Sequence, residues 1–332
     1  MQFSTLFQQI INGLSLGSVY ALIAVGYSLV YSILSFSNFA HGGFLVIGGY
    51  ICYGLLSGFE VVTSTQQHIF TMPAFNIWIA SLSALVGAGV VAILTERFAY
   101  KPIRERTSMT LYLLIASMGV SIVIENIFVI AVGGRFRALP PDSFQDIFAV
   151  LEKVLGYLGM NRVPGSSSQL FDLGGGVTVS MFDILSLIVA VFFLGGLQLF
   201  LTRTRWGLSI RAAAYDLRTA GLMGVNVAFL IGIVFFVAGM LAAIGGIFLS
   251  FRYTLYPQLG GITTKAFVAA VIGGLGSLPG AVVGSLILGL AEMLTAGFIS
   301  SQMRDLVVFS MLVVMLLVKP AGFFGKQIND KI

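Results

Sequence analysis

Long apolar runs, each near the length of a membrane span, alternate along this chain with short polar interruptions. A helix crosses a bilayer with about 20 apolar residues. Such runs lie at 10–34, 39–59, 75–95, 109–133, 181–201 and 227–251, in an interrupted stretch at 266–298, and at 305–324. The pattern predicts an all-α polytopic membrane protein of about eight or nine transmembrane or half-spanning helices. The last run is the weakest, because only Leu306 to Val318 is cleanly apolar. It must draw on Pro320 to Phe324 or be short and tilted, with Lys319 reaching for the interface.

Two interruptions differ from the rest. "SFSNFAHGGFLVIGGY", residues 35–50, and "GGLGSLPG", residues 273–280, are rich in glycine and carry no Lys, Arg, Asp or Glu. A turn in the headgroups normally carries a basic residue, so these breaks are expected to be partly buried. Broken backbone is tolerated at membrane depth where protein covers it or where it lines a cavity. Paired breaks in the two halves point to a substrate path built from half-helices. Gly42, Gly43, Gly273, Gly274 and Gly276 would bring backbone to that path, and Ser37, Asn38, His41 and Ser277 would add side-chain hydrogen bonds. Small residues elsewhere, Gly13, Gly17 and Ala21, and Ala80, Ala84, Ala88 and Ala92, recur every four positions and are expected to pack helix on helix.

Composition agrees with the pattern. The 332 residues are 58% hydrophobic and 9% charged, far from the quarter that is usual in soluble domains. The net charge of +5 therefore bears on orientation and not on nucleic acid. Arg97, Lys101, Arg104 and Arg106 crowd one loop, Arg203, Arg205, Arg211 and Arg218 another, and Lys319, Lys326 and Lys331 the carboxyl tail. Assigning these to the cytoplasm puts the amino terminus outside and the carboxyl terminus inside. Arg135, Arg137, Lys153, Arg162, Arg252, Lys265 and Arg304 then lie outside. With Lys265 and Arg304 on one side, the stretch between them must enter and return, with "GGLGSLPG" at its deepest point. The chain reads as one transmembrane domain, 1–332, with an extracytoplasmic excursion at 134–180 and a cytoplasmic loop at 203–226.

Enzyme chemistry is not legible. The histidines are His41 and His68, Cys52 stands alone, and neither HExxH nor a Walker GxxxxGK[ST] occurs, so no metal site, cofactor site or nucleotide site is expected in this chain. Glu125 and Glu292 interrupt apolar runs; a carboxylate at that depth faces a cavity or a partner, and a proton-coupled carrier is one way to use the pair. The loop "TRTRWGLSIRAAAYDLRTAGLMGVN", 202–226, holds a helix too polar to span, with Ile210, Ala214, Leu217 and Gly221 on one face, Asp216 and Arg218 off it, and Gly224 as its stop. It is either a connector on the headgroups or a coupling helix that seats in a partner's groove.

At these residues the chain resembles the LivH-type permeases of bacterial ABC importers for branched-chain amino acids. "NGLSLGSVYALIAVGYSLVYSI", "NFAHG", "ERFAYKPIR", "DLRTAGLMGVN" and "KAFVAAVIGGLGSLPGAVVGSLILGLAEML" stand in the family's order across almost the whole length. The resemblance implies a pore subunit in the bacterial inner membrane, paired with a LivM-like homologous permease, two cytoplasmic ATPase subunits that bind the ATP, and an extracytoplasmic substrate-binding protein. It implies that Arg211 to Gly224, with Ala214, Asp216, Leu217, Arg218 and Gly221, contact an ATPase. The wider family also handles urea and short amides, which leaves the substrate open. Two departures stand out: the acid that follows "NFAHG" in the family is Gly43 here, and the segment 142–177 is longer than usual. Gly43→Glu is expected to alter transport more than folding.

Overall fold

The computed structural model describes residues 2–58, 60–62, 68–71, 74–107, 109–157, 161–162, 170–172 and 177–325. In chain order these form α1 (Gln2–Leu34), α2 (His41–Ser57), the strands β1 (Glu60–Val62) and β2 (His68–Thr71), α3 (Ile77–Thr95), α4 (Lys101–Arg106), α5 (Thr110–Val132), α6 (Gln145–Tyr157), the strands β3 (Asn161–Arg162), β4 (Leu170–Asp172) and β5 (Thr178–Ser180), α7 (Met181–Arg203), α8 (Arg205–Tyr215), α9 (Leu217–Leu222), α10 (Val227–Tyr253), α11 (Thr263–Gly273), α12 (Leu278–Phe298) and α13 (Arg304–Val318). Among the described residues seven helices are long and apolar enough to cross a membrane, and α2 is a shorter apolar one. The protein is an all-α, multi-pass membrane protein, as the apolar runs predict.

The helices fall into two compact units. The first holds residues 1–37, 149–231 and 263–332, the second 38–148 and 232–262. In the first, α1 is the centre: 94% of its most apolar window is buried. It lies against α12 along the small stripe predicted for it, where a Cβ on Gly289 would sit 2.5 Å from the carbonyl oxygen of Gly13. Backbones that close leave no room for any side chain, which is why glycine stands on both sides. Ser15 donates to Asp183 Oδ1 at 2.6 Å and ties α1 to the first turn of α7, whose Ser180 cap accepts from Phe182 N. An acid is well placed at a helix amino end.

In the second unit α3 presents Ala80, Ala84, Ala88 and Ala92, all fully buried, and α10 approaches them so closely that a Cβ on Gly239 would lie 2.7 Å from the Ala88 carbonyl oxygen. The predicted packing role of this stripe holds. Between α3 and α4 the helix continues through a π segment, Glu96–Tyr100, so that the run from Ile77 to Arg106 is unbroken. Inside it Glu96, only 4% exposed, accepts from Arg104 Nη2 at 2.9 Å.

The excursion at 134–180 is divided between the units. Phe144 packs edge-on against Phe251 at 4.4 Å in the second. In the first, β3, β4 and β5 form a small antiparallel sheet. The Gln8 side chain closes on it: its amide donates to the Thr178 carbonyl at 2.8 Å and accepts from Thr178 N at 2.9 Å. Strands of two to four residues are too short to leave a periodicity in the sequence. The "PGSSS" and "GGG" of this segment, and Lys326 and Lys331 of the tail, lie outside the described residues.

Candidate functional site

α1 ends at Leu34 and the chain turns at Ser35, which takes a left-handed φ of 52°. Beyond Ser37, half-buried, the first break belongs to the second unit. There the predicted burial is found: Asn38 is 2% exposed and His41 not at all. Three of the backbone N–H groups of this break are satisfied from within the unit. Phe39 N donates to Ser117 Oγ on α5 at 3.1 Å, Ala40 N to Asn38 Oδ1 at 3.2 Å, and His41 N to the Asn38 carbonyl at 3.2 Å. Tyr100, at the end of the π segment, donates its hydroxyl to the same Asn38 Oδ1 at 2.8 Å. His41 stands edge-on to Phe44. Gly42 is covered by the turn Pro257–Ile262, where a Cβ on Gly260 would come within 2.8 Å of the Gly42 carbonyl oxygen.

Gly43 faces α5. A Cβ there would lie 2.7 Å from Ile124 Cδ1 and 3.3 Å from its Cβ. A side chain at this position has to move Ile124, so Gly43→Glu carries a packing cost beside its expected effect on transport.

The second break lies in the first unit. Gly274 and Gly276 adopt φ of 109° and 83°, conformations that glycine alone enters freely. Ser277 is the cap of α12, accepting from Gly280 N at 3.2 Å, with Pro279 in the first turn where its missing N–H costs nothing. The last carbonyls of α11 are used as well: Phe323 N donates to Ile272 O and Phe324 N to Gly273 O, both at 2.9 Å. α11 has 11 residues and α12 has 21, and the break between them sits beside the turn that follows α13 and next to Ser32 on the last turn of α1. Residues 319–325 form that turn, and α13 is the short helix of the two options for the last run.

The carboxylates separate in kind. Glu292 is fully buried, accepting from Tyr20 at 3.0 Å and from Lys265 Nζ at 2.9 Å, and Lys265 also meets Asp305 at 2.8 Å. This contact puts Lys265 and the start of α13 at one level, as the enter-and-return trace requires. Glu125 is half-buried and accepts a long bond, 3.4 Å, from Ser121. A carboxylate clamped by a lysine and a tyrosine is a structural tie, which removes the main support for the proton-carrier alternative.

The loop at 203–226 also differs from its expected form. One helix was expected from Ile210 through Gly221. Asp216 instead takes an extended conformation, φ −155° and ψ 110°, that ends α8 and starts α9. Its carboxylate accepts from Arg218 N at 2.8 Å, from Thr219 N at 3.3 Å and from the Thr219 hydroxyl. Local capping competes with helix continuation at an aspartate and wins here. The buried face is accordingly Gly207, Ile210, Ala213 and Ala220, while Ala214 and Gly221 are exposed and Leu217 is half-buried. Gly224 does stop the helix: at φ 87° its N–H reaches Gly221 O and Val225 N reaches Ala220 O, the paired bonds of a Schellman end. The Thr219 hydroxyl and the two amides hold the Asp216 carboxyl below its usual range. With the folded value depressed, this cap is at full strength above the ordinary carboxylate range and is lost as pH falls through the depressed value.

Sequence reasoning missed the supports of these groups. Tyr100 and Ser117 hold the first break, Lys265 neutralises Glu292 from 27 positions away, and Tyr215, Leu222 and Met223 stand 93%, 83% and 81% exposed around the α8–α9 bend. A tyrosine inside "ERFAYKPIR" and an apolar pair at the end of a polar loop were the available signals.

The chain matches the family model described as the branched-chain amino acid transport system permease component over residues 9–316. It is 35% identical to the high-affinity branched-chain amino acid transport system permease protein BraD of Pseudomonas aeruginosa, covering 98% of this chain and 97% of that one. It is 34% identical to the permease protein LivH of Escherichia coli K12, named for the same kind of system, covering 100% and 99%. A relative in Methanocaldococcus jannaschii, the probable branched-chain amino acid transport permease protein LivH, is 24% identical over 92% of this chain and 88% of the relative.

Proposed function

The chain belongs to the family of branched-chain amino acid transport system permease components, and on that premise we propose that it is the pore subunit of an ATP-driven importer for branched-chain or other small neutral amino acids. In this reading it pairs with a LivM-like homologous permease, receives substrate from an extracytoplasmic binding protein, and is driven by two cytoplasmic ATPase subunits that bind the ATP. The observation that carries the reading is the α8–α9 segment. It is capped at Asp216, closed at Gly224, and turns Tyr215, Leu222 and Met223 outward. A rigid bend with an exposed apolar tip suits a groove on an ATPase better than it suits a slack connector. Closure of the ATPases would pass through this segment into rocking of the spans, opening a path beside the glycine breaks to one side and then the other. Reconstituted complex is expected to accumulate labelled leucine or valine only with both ATP and the ATPase subunits present. Uptake by this chain alone, driven by a proton gradient, would overturn the proposal.

Orientation is part of the same proposal, with the amino terminus outside and α8–α9 in the cytoplasm of a bacterium with an inner membrane. With the buried Cys52 replaced by alanine, a cysteine at the exposed Gln145 is expected to react with an impermeant thiol reagent in intact cells. One at the exposed Arg211 is expected to react only after the cells are opened. The opposite pattern would reverse the direction of coupling.

A further inference from the structure

Asn38 has a hydrogen-bonding capacity that the second unit leaves unused. The side-chain amide cannot be turned over, because Ala40 N–H only donates and must face the oxygen. Tyr100 adds a second bond to that oxygen. The nitrogen Nδ2 therefore points away from both, and it is buried without an acceptor among the described residues. A buried donor left in this state is unfavourable, because it has lost water and gained no acceptor. The surroundings are arranged to keep it so. Tyr100 is fully buried with its ring against Phe235 at 5.6 Å. The π segment that aims Tyr100 is spanned by the Glu96–Arg104 ion pair at 2.9 Å. Ser117 takes the neighbouring Phe39 N and is itself fixed by donating to Leu114 O at 2.7 Å. π segments inside helices occur often where a side chain has to be aimed at a functional group.

We infer that Asn38 presents its amide as a donor to an acceptor oxygen of the transported solute, and that Tyr100 is the positioning residue that keeps the amide in this sense. The inference rests on the transport function proposed above and specifies its chemistry. The solute offers a carboxylate or carbonyl oxygen at the first break, as an amino acid does through its carboxylate. Asn38 acts as a donor there, and its own oxygen is spent within the protein. His41 and Ser37 need no part in it.

The test uses the complete importer in proteoliposomes, supplied with saturating leucine-loaded binding protein, and reads leucine delivered per ATP hydrolysed. Asn38→Asp keeps the oxygens for Ala40 N and Tyr100 but replaces the donor with an acceptor. It is expected to lower leucine per ATP by about tenfold, the worth of one hydrogen bond to a charged group, while the complex still assembles and hydrolyses ATP. Tyr100→Phe removes a single oxygen and is expected to lower it severalfold; because it is the mildest change, it decides the matter even if Asn38→Asp fails to assemble. The double variant is expected to be no worse than Asn38→Asp, since Tyr100 acts through Asn38. Unchanged leucine per ATP in both single variants, a parallel fall in ATP hydrolysis, or fully multiplicative effects would overturn the inference. If the unaltered complex shows no ATP-driven uptake, the proposed function itself has failed and this inference falls with it.

Discussion

Lys265→Met is expected to leave little folded protein in the membrane. The Glu292 side chain is 1% exposed, and among the described residues the Lys265 Nζ 2.9 Å away meets its charge, with Tyr20 on the other oxygen. Removing one partner of a buried pair strands the other in low dielectric and costs about 3–5 kcal/mol, a large part of the stability of an ordinary domain. The loss should fall on the join of α11 and α12, because Lys265 starts the first and Glu292 lies in the second. Asp305, 69% exposed, contributes little, and Asp305→Asn should be close to neutral. Glu292→Gln keeps an acceptor for Tyr20 and removes the charge that needs a lysine, so Lys265→Met with Glu292→Gln should recover much of the loss. Thermal unfolding of the purified variants in detergent, at equal expression, measures each step. A Lys265→Met protein as stable as the unaltered one would show that the pair is not a structural tie. Lys265→Met with Glu292→Gln also separates the transport readings, since a proton carrier would lose uptake with it and an ATP-driven importer would not.

Asp216→Arg and Gly224→Trp are expected to abolish transport while the chain still inserts and the permeases still pair. Asp216→Arg removes the bonds that start α9, worth about 1 kcal/mol, and puts a positive charge at a helix amino end. Gly224→Trp forces a side chain into a left-handed conformation at a cost of about 1–2 kcal/mol and, with open space around it, sends the indole outward into whatever the segment docks against. Neither change touches a membrane span. Asp216→Asn retains a capping oxygen and should transport nearly as well as the unaltered protein. Co-purification of the ATPase subunits, with leucine uptake compared at equal membrane levels, reads the outcome. Normal uptake in both disruptive variants would make the segment a connector and nothing more.

The amino-acid sequence by itself determined the class and the spans. Apolar residues repeated over the length of a bilayer have few alternatives to helix, since lipid offers no partner to an open backbone; the helices at 77–95, 110–132, 181–203 and 227–253 follow the predicted runs closely. It also determined the packing stripes, because a glycine every fourth residue has little other use within a span, and the stop at Gly224, because a positive φ is local chemistry. Only the tertiary structure decided what the polar groups do. Lys265 and Glu292 lie far apart in the chain, and whether a buried carboxylate carries protons or holds helices together depends on what comes within 3 Å of it. The amides of the two breaks looked available in the sequence. Those of Phe39 and Ala40 are taken up by Ser117 and Asn38, and at the second break the Ile272 and Gly273 carbonyls accept from the turn at Phe323 and Phe324, from helices and turns whose approach no local pattern encodes. Asn38 shows the division within one residue: its place at the break was legible, but which of its two polar atoms is left for a ligand was settled by Tyr100 and Ala40, since hydrogen bonds are directional and a buried amide has only one way round that satisfies a backbone donor.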